Sequence, residues 1–118
     1  MATKVPAPVA AYIRGTNEHD IAAFLASFPE DAIVNDIQRE FRGKAAIEKW
    51  AAREIIGAKV TMEVVRAVDH YGDSIVTAKM DGNYDKTGLP DPLILTFYFT
   101  LRGDKITQLI ILHNKPAD

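Results

Sequence analysis

The chain has 118 residues, of which 47% are hydrophobic and 25% charged, and this composition predicts one globular domain over residues 1–118. Its 14 Lys and Arg against 16 Asp and Glu give a net charge of −2 without a basic cluster, which argues against nucleic acid and anionic membranes as partners. It has no cysteine, no secretory signal and no uncharged run of roughly 18 residues, so we expect a soluble, cytoplasmic protein without disulfides.

The N-terminal third of the chain predicts two short helices. Apolar residues recur at helical spacing from Pro8 to near residue 17, and proline suits the first position of a helix. A second apolar stripe runs from Ile21 to Phe28. Asp20 favours the start of this helix and Pro29 its end. We therefore expect a helical hairpin before the first strand.

The segment AIVNDIQ, residues 32–38, reads as a β-strand that carries one acidic residue, Asp36. On a strand, Asp36 shares its face with Val34. Its side chain therefore lies either at an exposed strand end or inside an apolar interior. After this strand, residues 39–43 read as a turn, and residues 42–57 read as a third helix bracketed by glycines.

β-Branched and aromatic residues dominate the rest of the chain and predict strands separated by turn residues. The predicted strands are 59–71, 74–85, 92–103 and 105–115. Asp69 and His70, directly before the first of these turns, read as turn residues. Helices followed by hairpin-linked strands are typical of an α+β domain, in which the helices gather on one face of a curved, mainly antiparallel sheet.

The last two strands are apolar on both of their faces. Residues 109–112 are all Leu or Ile, and residues 94–99 carry apolar side chains on both sides of the strand. The helices can cover only one face of the sheet. We therefore expect a homodimer through the outer sheet face. The alternative is an exposed, half-apolar face, since much of any monomer surface is apolar.

Several short segments resemble a known superfamily when they are taken in this order and spacing. They are AAYIRGTNEHDIAAFLASFPEDAIVND, RGKAAIEKW and VRAV. The chain resembles, over residues 8–115, the nuclear transport factor 2-like superfamily, which contains the SnoaL-like polyketide cyclases and the bacterial ketosteroid isomerases. This resemblance implies a cone-shaped fold, in which a bent sheet wraps around a long helix and encloses an apolar pocket.

The resemblance also implies roles for individual residues. The catalytic aspartate of the isomerases falls on Asp36, and the tyrosine whose hydroxyl stabilises the enolate falls on Tyr12. The second oxyanion donor of that family, a protonated carboxylic acid, falls on Leu95, so the full steroid constellation is absent. His113 lies on the strand face that lines the cavity in the family, where an imidazole can assist Tyr12 or orient Asp36.

The residue types fit this chemistry, although each one has a simpler interpretation. Removing a proton from a carbon next to a carbonyl needs a base near the carbon and a hydrogen-bond donor near the oxygen. Asp36 and Tyr12 supply one of each. Asp36 is otherwise a strand-end residue, solvated or bound to the turn that follows. Tyr12 is otherwise a core tyrosine, and His113 a satisfied buried or rim histidine.

The expected pocket is apolar and suits a flat, hydrophobic ligand of steroid, polyketide or aromatic size. The candidate ligand-binding residues are Phe24, Phe28, Val34, Trp50, Met62, Val64, Met80, Tyr84, Leu95, Phe97, Phe99 and Ile111. Gly82 is expected to widen this pocket because it lacks a side chain. The three His residues show no helical pairing, so we expect neither a metal site nor a cofactor.

Two functions are compatible with these residues. The first is a cofactor-free isomerase or cyclase in which Asp36 abstracts a proton and Tyr12, with help from His113, stabilises the oxyanion. The second is a non-catalytic module that binds an apolar ligand in the same fold. Retention of Asp36 together with Tyr12 favours the enzyme, whereas Leu95 in place of the second acid favours the binding module.

Overall fold

Helices precede most of the strands along the chain in the computed structural model, which describes residues 5–113. The helices are α1 (Ala7–Asn17), α2 (Ile21–Leu25) and α3 (Lys44–Ala51), and α3 continues into a π-helical turn, Ala52–Ile56. The strands are β1 (Ile33–Asp36), β2 (Arg39–Arg42), β3 (Thr61–His70), β4 (Asp73–Asp81), β5 (Leu93–Arg102) and β6 (Lys105–His113).

These strands form one curved, unclosed sheet in the order β2-β1-β6-β5-β4-β3, and the helices pack on one face of it. β1 runs parallel to β6, and the other neighbouring strands are antiparallel. The predicted α+β class and its N-terminal helices on a mainly antiparallel sheet are confirmed. The described part of the chain has no helix long and apolar enough to cross a membrane.

The prediction of a turn over residues 39–43 is wrong for most of that segment. Residues Arg39–Arg42 form β2, which pairs with β1 so that Arg39 lies opposite Asp36. The turn itself consists of Ile37 and Gln38, both with positive φ. Two such residues close a tight hairpin whose twist matches that of its strands. β2 shows no apolar alternation because it is an edge strand, on which only Phe41 packs against the core.

Other boundaries differ by shorter stretches. α2 ends at Leu25, and Phe28 lies after a turn at residues 26–27, although it remains fully buried. Asp69 and His70 belong to β3, where they pair with Ser74 and Asp73, so their prediction as turn residues is wrong. The strand predicted over residues 74–85 ends at Asp81. Residues 114 and 115, predicted to end the last strand, lie outside the described residues.

The core lies between the helices and the inner face of the sheet. α1 crosses α2 closely at Gly15, where a Cβ would come within 2.6 Å of the Phe24 backbone nitrogen. The Tyr12 ring packs against Phe24, with ring centroids 4.7 Å apart, and against Phe99 at 5.2 Å. The C-terminal end of α1 is tied to β3, because the Asn17 amide exchanges two hydrogen bonds with the Met62 backbone.

Candidate functional site

An apolar cavity of about 390 Å³ opens between the helices and the sheet. Its size falls within the roughly 300–1,000 Å³ of small-molecule sites. Helix α1, the α3 segment with its π-helical turn, and strands β3 to β6 all contribute to its wall. Its polar lining residues are Tyr12, Thr16, Asp36, Arg53, Glu54, Tyr84 and His113.

The register of the strands sets where the solid core ends and the cavity begins. Val34 pairs with Leu109, which pairs with Phe99, and these inner-face side chains are fully or almost fully buried in the core. Two residues further along β1, Asp36 pairs with Ile111, and Ile111 pairs with Phe97. These three side chains line the cavity. Asp36 therefore shares its sheet face with Val34, as predicted, and stands at the boundary of the open space.

The Asp36 carboxylate is both at a strand end and in the cavity wall. Its side chain is only 15% exposed. The indole Nε1–H of Trp50 donates to Oδ2 at 3.1 Å, and Arg39 Nη2 donates to the same oxygen at 2.6 Å. Both donors contact Oδ2, and the other carboxylate oxygen, Oδ1, accepts no hydrogen bond from residues 5–113. The two alternatives drawn from the sequence are thus realised together.

Arg39 connects this carboxylate to a second acidic side chain in the cavity wall. Its guanidinium donates to both carboxylate oxygens of Glu54, at 2.9 and 2.6 Å, as well as to Asp36. Hydrogen bonding to Glu54, reinforced by Asp36, raises the pKa of Arg39 above its ordinary value, so it remains a cation. The strained turn at Ile37, a β-branched residue with φ of 49°, returns the chain so that Arg39 faces Asp36.

Tyr12 is the second polar group that the cavity presents beside Asp36. The residue is 1% exposed and lines the cavity from α1. Burial, and to a lesser degree the negative charge of Asp36, raises the pKa of Tyr12 well above its usual value. The phenol therefore stays protonated and can donate a hydrogen bond to a ligand. Asp36 pairs with Ile111, Ile111 pairs with Phe97, and the ring centroids of Tyr12 and Phe97 are 6.1 Å apart.

His113 lies beside Leu95, the residue that takes the place of the second acid of the isomerases. It lines the cavity from β6 and lies directly opposite Leu95 on β5. Directly opposed residues of antiparallel strands have Cβ atoms roughly 4.5–5.5 Å apart. His113 is therefore next to the position where the resemblance expects a carboxylic acid.

The structure places the apolar candidates in two groups. Those that line the cavity are Trp50, Met62, Met80, Tyr84, Leu95, Phe97 and Ile111. Those that do not line it are Phe24, Phe28, Val34, Val64 and Phe99, which belong to the core or pack against it. Gly82 does not widen the cavity, and that prediction is wrong. Its φ is +154°, and a Cβ there would lie 3.0 Å from the Ala58 carbonyl oxygen and 3.1 Å from the Tyr84 ring.

Sequence reasoning missed several residues of this site. Thr16 follows Tyr12 by one helical turn, and that spacing was a signal for a shared face. Glu54 and Ile55 reach the cavity from the π-helical turn, a geometry that often occurs at functional sites and has no simple sequence signal. Arg39 was hidden in the segment predicted as a turn. No three His, Asp or Glu side chains within residues 5–113 are grouped so that they could hold a metal ion.

A second, more polar groove of about 760 Å³ runs along the other side of the cavity wall. The groove lies between the start of β3, the end of β4 and the loop that follows β4. The two spaces share the side chains of Met62, Met80, Tyr84, Leu89 and Leu93. The loop between β4 and β5 therefore borders the cavity through Tyr84 and Leu89.

Comparison with known proteins gives a family for the chain. The family model of the SnoaL-like domain matches residues 9–109. No curated protein matches the chain. Among solved structures, a candidate polyketide cyclase from Sinorhizobium meliloti is 26% identical to this chain, with a TM-score of 0.81. That match covers 92% of this chain and 95% of the Sinorhizobium chain.

Two further solved structures share the fold. A Catenulispora acidiphila protein with a ketosteroid isomerase-like fold, in complex with trimethylamine, is 21% identical with a TM-score of 0.77, covering 92% of this chain and 86% of that one. The Anabaena Orange Carotenoid Protein, which binds canthaxanthin, is 20% identical with a TM-score of 0.76, covering 94% and 37%. Since the family model spans most of the chain, the predicted resemblance is confirmed: the chain belongs to the SnoaL-like domain family and has the nuclear transport factor 2-like fold.

Proposed function

We propose that this protein is a cofactor-free enzyme that moves a proton at a carbon next to a carbonyl group of a hydrophobic compound, as an isomerase or a cyclase. One observation carries the proposal. A carboxylate and a phenol that stays protonated both line the same apolar cavity, and both adjoin the Ile111–Phe97 pair of the sheet. A base and an oxyanion donor are the two groups that such a reaction needs.

The proposed chemistry begins at the carbon–hydrogen bond next to the carbonyl. Asp36 Oδ1 takes the proton, and the electron pair of the broken bond moves to the carbonyl oxygen. Tyr12 donates a hydrogen bond to that oxygen, and His113 is placed to assist it. In an isomerase the protonated Asp36 returns the proton to another carbon. In a cyclase the enolate carbon attacks the carbon of a second carbonyl group in the same molecule, the electron pair of that carbonyl moves to its oxygen, and this oxygen takes the proton from Asp36.

Trp50 and Arg39 have a supporting part in this proposal. Both donate to Oδ2, which restrains the side chain of Asp36. A base held in one orientation loses less freedom when the substrate arrives. Arg39 also provides a counter-ion, so that the charged form of Asp36 is tolerated in a mostly apolar wall.

The ligand class follows from the lining of the cavity. Apolar side chains such as Leu95, Phe97 and Ile111 form most of the wall beside the polar groups. A wall of this kind favours flat hydrophobic compounds with few oxygen atoms. The canthaxanthin bound by the Anabaena protein of the same fold supports a hydrophobic ligand here.

A binding module without catalysis is the second candidate function. Two observations favour it: Leu95 replaces the second acid of the isomerases, and Arg39 pairs with Asp36 instead of leaving the carboxylate isolated. In this case the cavity holds an apolar ligand, and Asp36 with Tyr12 only orients it. The experiment described below separates the two functions.

We also propose that two copies associate through the outer sheet face in the cytoplasm. That face exposes large apolar side chains: Tyr98 is 38% exposed and Leu112 is 40% exposed, on neighbouring strands β5 and β6. Val68 on β3 is also 38% exposed and pairs with Ile75, which pairs with Tyr98. A second copy would cover these side chains. Light scattering checks this expectation, with a molar mass near twice the 13.0 kDa of one chain supporting a dimer.

The catalytic proposal is tested by hydrogen exchange at carbon. 2-Tetralone, a bicyclic ketone with acidic hydrogens beside its carbonyl, is incubated with the protein in D₂O, and deuterium uptake is followed by mass spectrometry. We expect the protein to accelerate exchange and Asp36→Asn to reduce that acceleration by about 10²–10⁴-fold, the range for general acid–base catalysis. An amide cannot take the proton.

Glu40→Gln is the matched control. It makes the same acid-to-amide change two strand positions from the β1–β2 turn, but Glu40 pairs with Arg42 outside the cavity. We expect this variant to exchange at the wild-type rate. Binding of 2-tetralone without accelerated exchange, or equal exchange by the wild-type and Asp36→Asn proteins, would refute catalysis and favour the binding module.

A further inference from the structure

Phe41 is the one apolar residue of the edge strand β2, and it does not line the cavity. Its ring stacks on the Trp50 indole, with ring centroids 5.7 Å apart and the ring planes 26° from parallel. The guanidinium carbon of Arg39 lies 5.6 Å from the centroid of the same ring, within the roughly 6 Å of a cation–π contact. Phe41 therefore contacts both side chains that donate to Asp36 Oδ2.

The pairing of β1 with β2 brings these side chains together. Arg39 lies opposite Asp36, and Phe41 lies opposite the core residue Val34. Because residues two apart on a strand share a face, these four side chains lie on the inner face of the sheet. Trp50 reaches Asp36 from α3. The two donors thus come from different elements and share one aromatic neighbour.

The two donors gain different restraints from this ring. Arg39 has a long side chain that is 51% exposed, and holding such a side chain in one geometry costs conformational freedom. The ring face gives its guanidinium a further contact besides the Glu54 carboxylate. The indole of Trp50 has to keep its orientation for Nε1–H to reach Oδ2, and a stacked ring opposes its tilting.

Filling the core is the simpler explanation of Phe41, since the residue is partly buried against it. That explanation requires only an apolar side chain, and leucine would meet it. Leucine has no π face for the guanidinium and no ring to stack on the indole. The contacts with Arg39 and Trp50 therefore depend on an aromatic residue, and this dependence distinguishes the two explanations.

We propose that Phe41 is a positioning residue, which holds Arg39 and Trp50 in the arrangement that restrains the Asp36 carboxylate in the cavity wall. This inference rests on the proposed function in taking Asp36 as the base. Because Phe41 does not line the cavity, it acts on proton transfer through its two neighbours and leaves ligand binding unchanged.

The test begins with the rate and the affinity of Phe41→Leu. Deuterium exchange at saturating 2-tetralone measures kcat, and isothermal titration calorimetry with flavanone, a flat hydrophobic ketone, measures Kd. We expect kcat to fall by about 10–100-fold, since displacing a reacting group by about 1 Å costs about 10²-fold. The Kd for flavanone should keep its wild-type value. Phe41→Tyr, which retains the ring, should rescue kcat.

A second readout reports on the hydrogen bonds without any reaction. Trp50 is the only tryptophan of the chain, so the isotope-labelled protein has a single indole Nε1–H cross-peak in a nitrogen–proton correlation spectrum. The position of this cross-peak and the exchange of its proton with D₂O depend on the hydrogen bond to Asp36. Phe41→Leu should shift the cross-peak and accelerate the exchange, whereas Phe41→Tyr should keep both near their wild-type values.

Leu101→Ala is the matched control for a loss of packing. Leu101, on β5, is also partly buried against the core and does not line the cavity. This variant should lower the Tm and leave kcat and the indole cross-peak unchanged.

The proposal is overturned if Phe41→Leu keeps the wild-type kcat or cross-peak, if it weakens flavanone binding, or if Phe41→Tyr behaves like Phe41→Leu. Equal changes of kcat and cross-peak in Leu101→Ala would also overturn it, because they would assign the effect to stability alone. If the wild-type protein does not exchange 2-tetralone, the proposed function is refuted. The cross-peak of Phe41→Leu then still decides whether Phe41 holds the donors of Asp36.

Discussion

Two regions of the helix–sheet interior are built from the same strands but are filled differently. The filled region is the part of the core around Phe24, Phe28 and Phe99, whose side chains are at most 1% exposed. The open region is the cavity, which begins at Asp36 and Phe97. On β5, Phe97 and Phe99 are two residues apart and their rings stack with centroids 6.2 Å apart, yet one borders empty space and the other does not.

This difference shows how one small domain combines stability with a binding site. The filled region supplies aromatic packing, which stabilises the fold through contact area. The open region gives up such contacts and contains the Asp36, Arg39 and Glu54 cluster instead. Arg39 is about half exposed, and ion pairs of this kind contribute little to stability. The cluster is therefore better explained by the orientation of Asp36 than by stability.

The largest expected effect is a difference between two alanine variants of β5. Phe99→Ala should lower the free energy of unfolding by about 3–5 kcal/mol, the usual range for a buried phenylalanine, because loss of this ring would create a new cavity in the filled region. Phe97→Ala should lower it by less, because Phe97 already borders the cavity, and the space that its ring leaves would enlarge that cavity instead of creating a separate one. Urea denaturation followed by fluorescence measures both values.

Ligand binding provides the complementary measurement for this pair. Phe97→Ala should change the Kd for flavanone, whereas Phe99→Ala should leave it unchanged at temperatures where the variant is folded. Equal losses of stability in the two variants would show that the cavity is closed in solution. An effect of Phe99→Ala on flavanone binding would show that the open region extends further than the structure places it.

The filled region could be predicted from sequence more fully than the open one. Apolar residues at helical spacing predicted α1, because burial of one helix face leaves a periodic pattern. Segments of β-branched and aromatic residues, separated by turn residues, predicted the strands from β3 to β6. The same pattern does not tell which buried residues border a cavity. Phe97 and Phe99 have identical side chains on the same face of one strand, and only the length and direction of the helices above them decides which is covered.

The polar cluster was the least predictable part of the site. β2 has one apolar residue, Phe41, and its hairpin turn uses Ile37 and Gln38 in place of the Asn-Gly type of sequence that signals such turns. Without β2, nothing in the sequence pairs Arg39 with Asp36. The position of Asp36 itself was accessible from the strand pattern and the family resemblance, but its partners depend on the hairpin and on the π-helical turn that carries Glu54.

A smaller effect, which depends on pH, tests the residue that joins the two regions. The Tyr12 ring packs in the filled region while the residue also lines the cavity. Burial raises the pKa of Tyr12 in the folded protein, whereas the unfolded chain should titrate near the ordinary value of 10.0. The folded state therefore holds its proton more tightly. The resulting stabilisation is fully present below pH 10 and is lost as the pH rises above it, by about 1.4 kcal/mol per pH unit.

Tyr12→Phe should remove this part of the alkaline destabilisation, so that its free energy of unfolding falls less steeply between pH 10 and 11 than that of the wild-type protein. Tyr71→Phe is the control, because Tyr71 is 94% exposed and its phenol meets water in both states. Urea denaturation at a series of pH values measures the slopes. If wild-type and Tyr12→Phe proteins lose stability equally above pH 10, the phenol is hydrated in the folded protein, and the cavity beside it is open to bulk water.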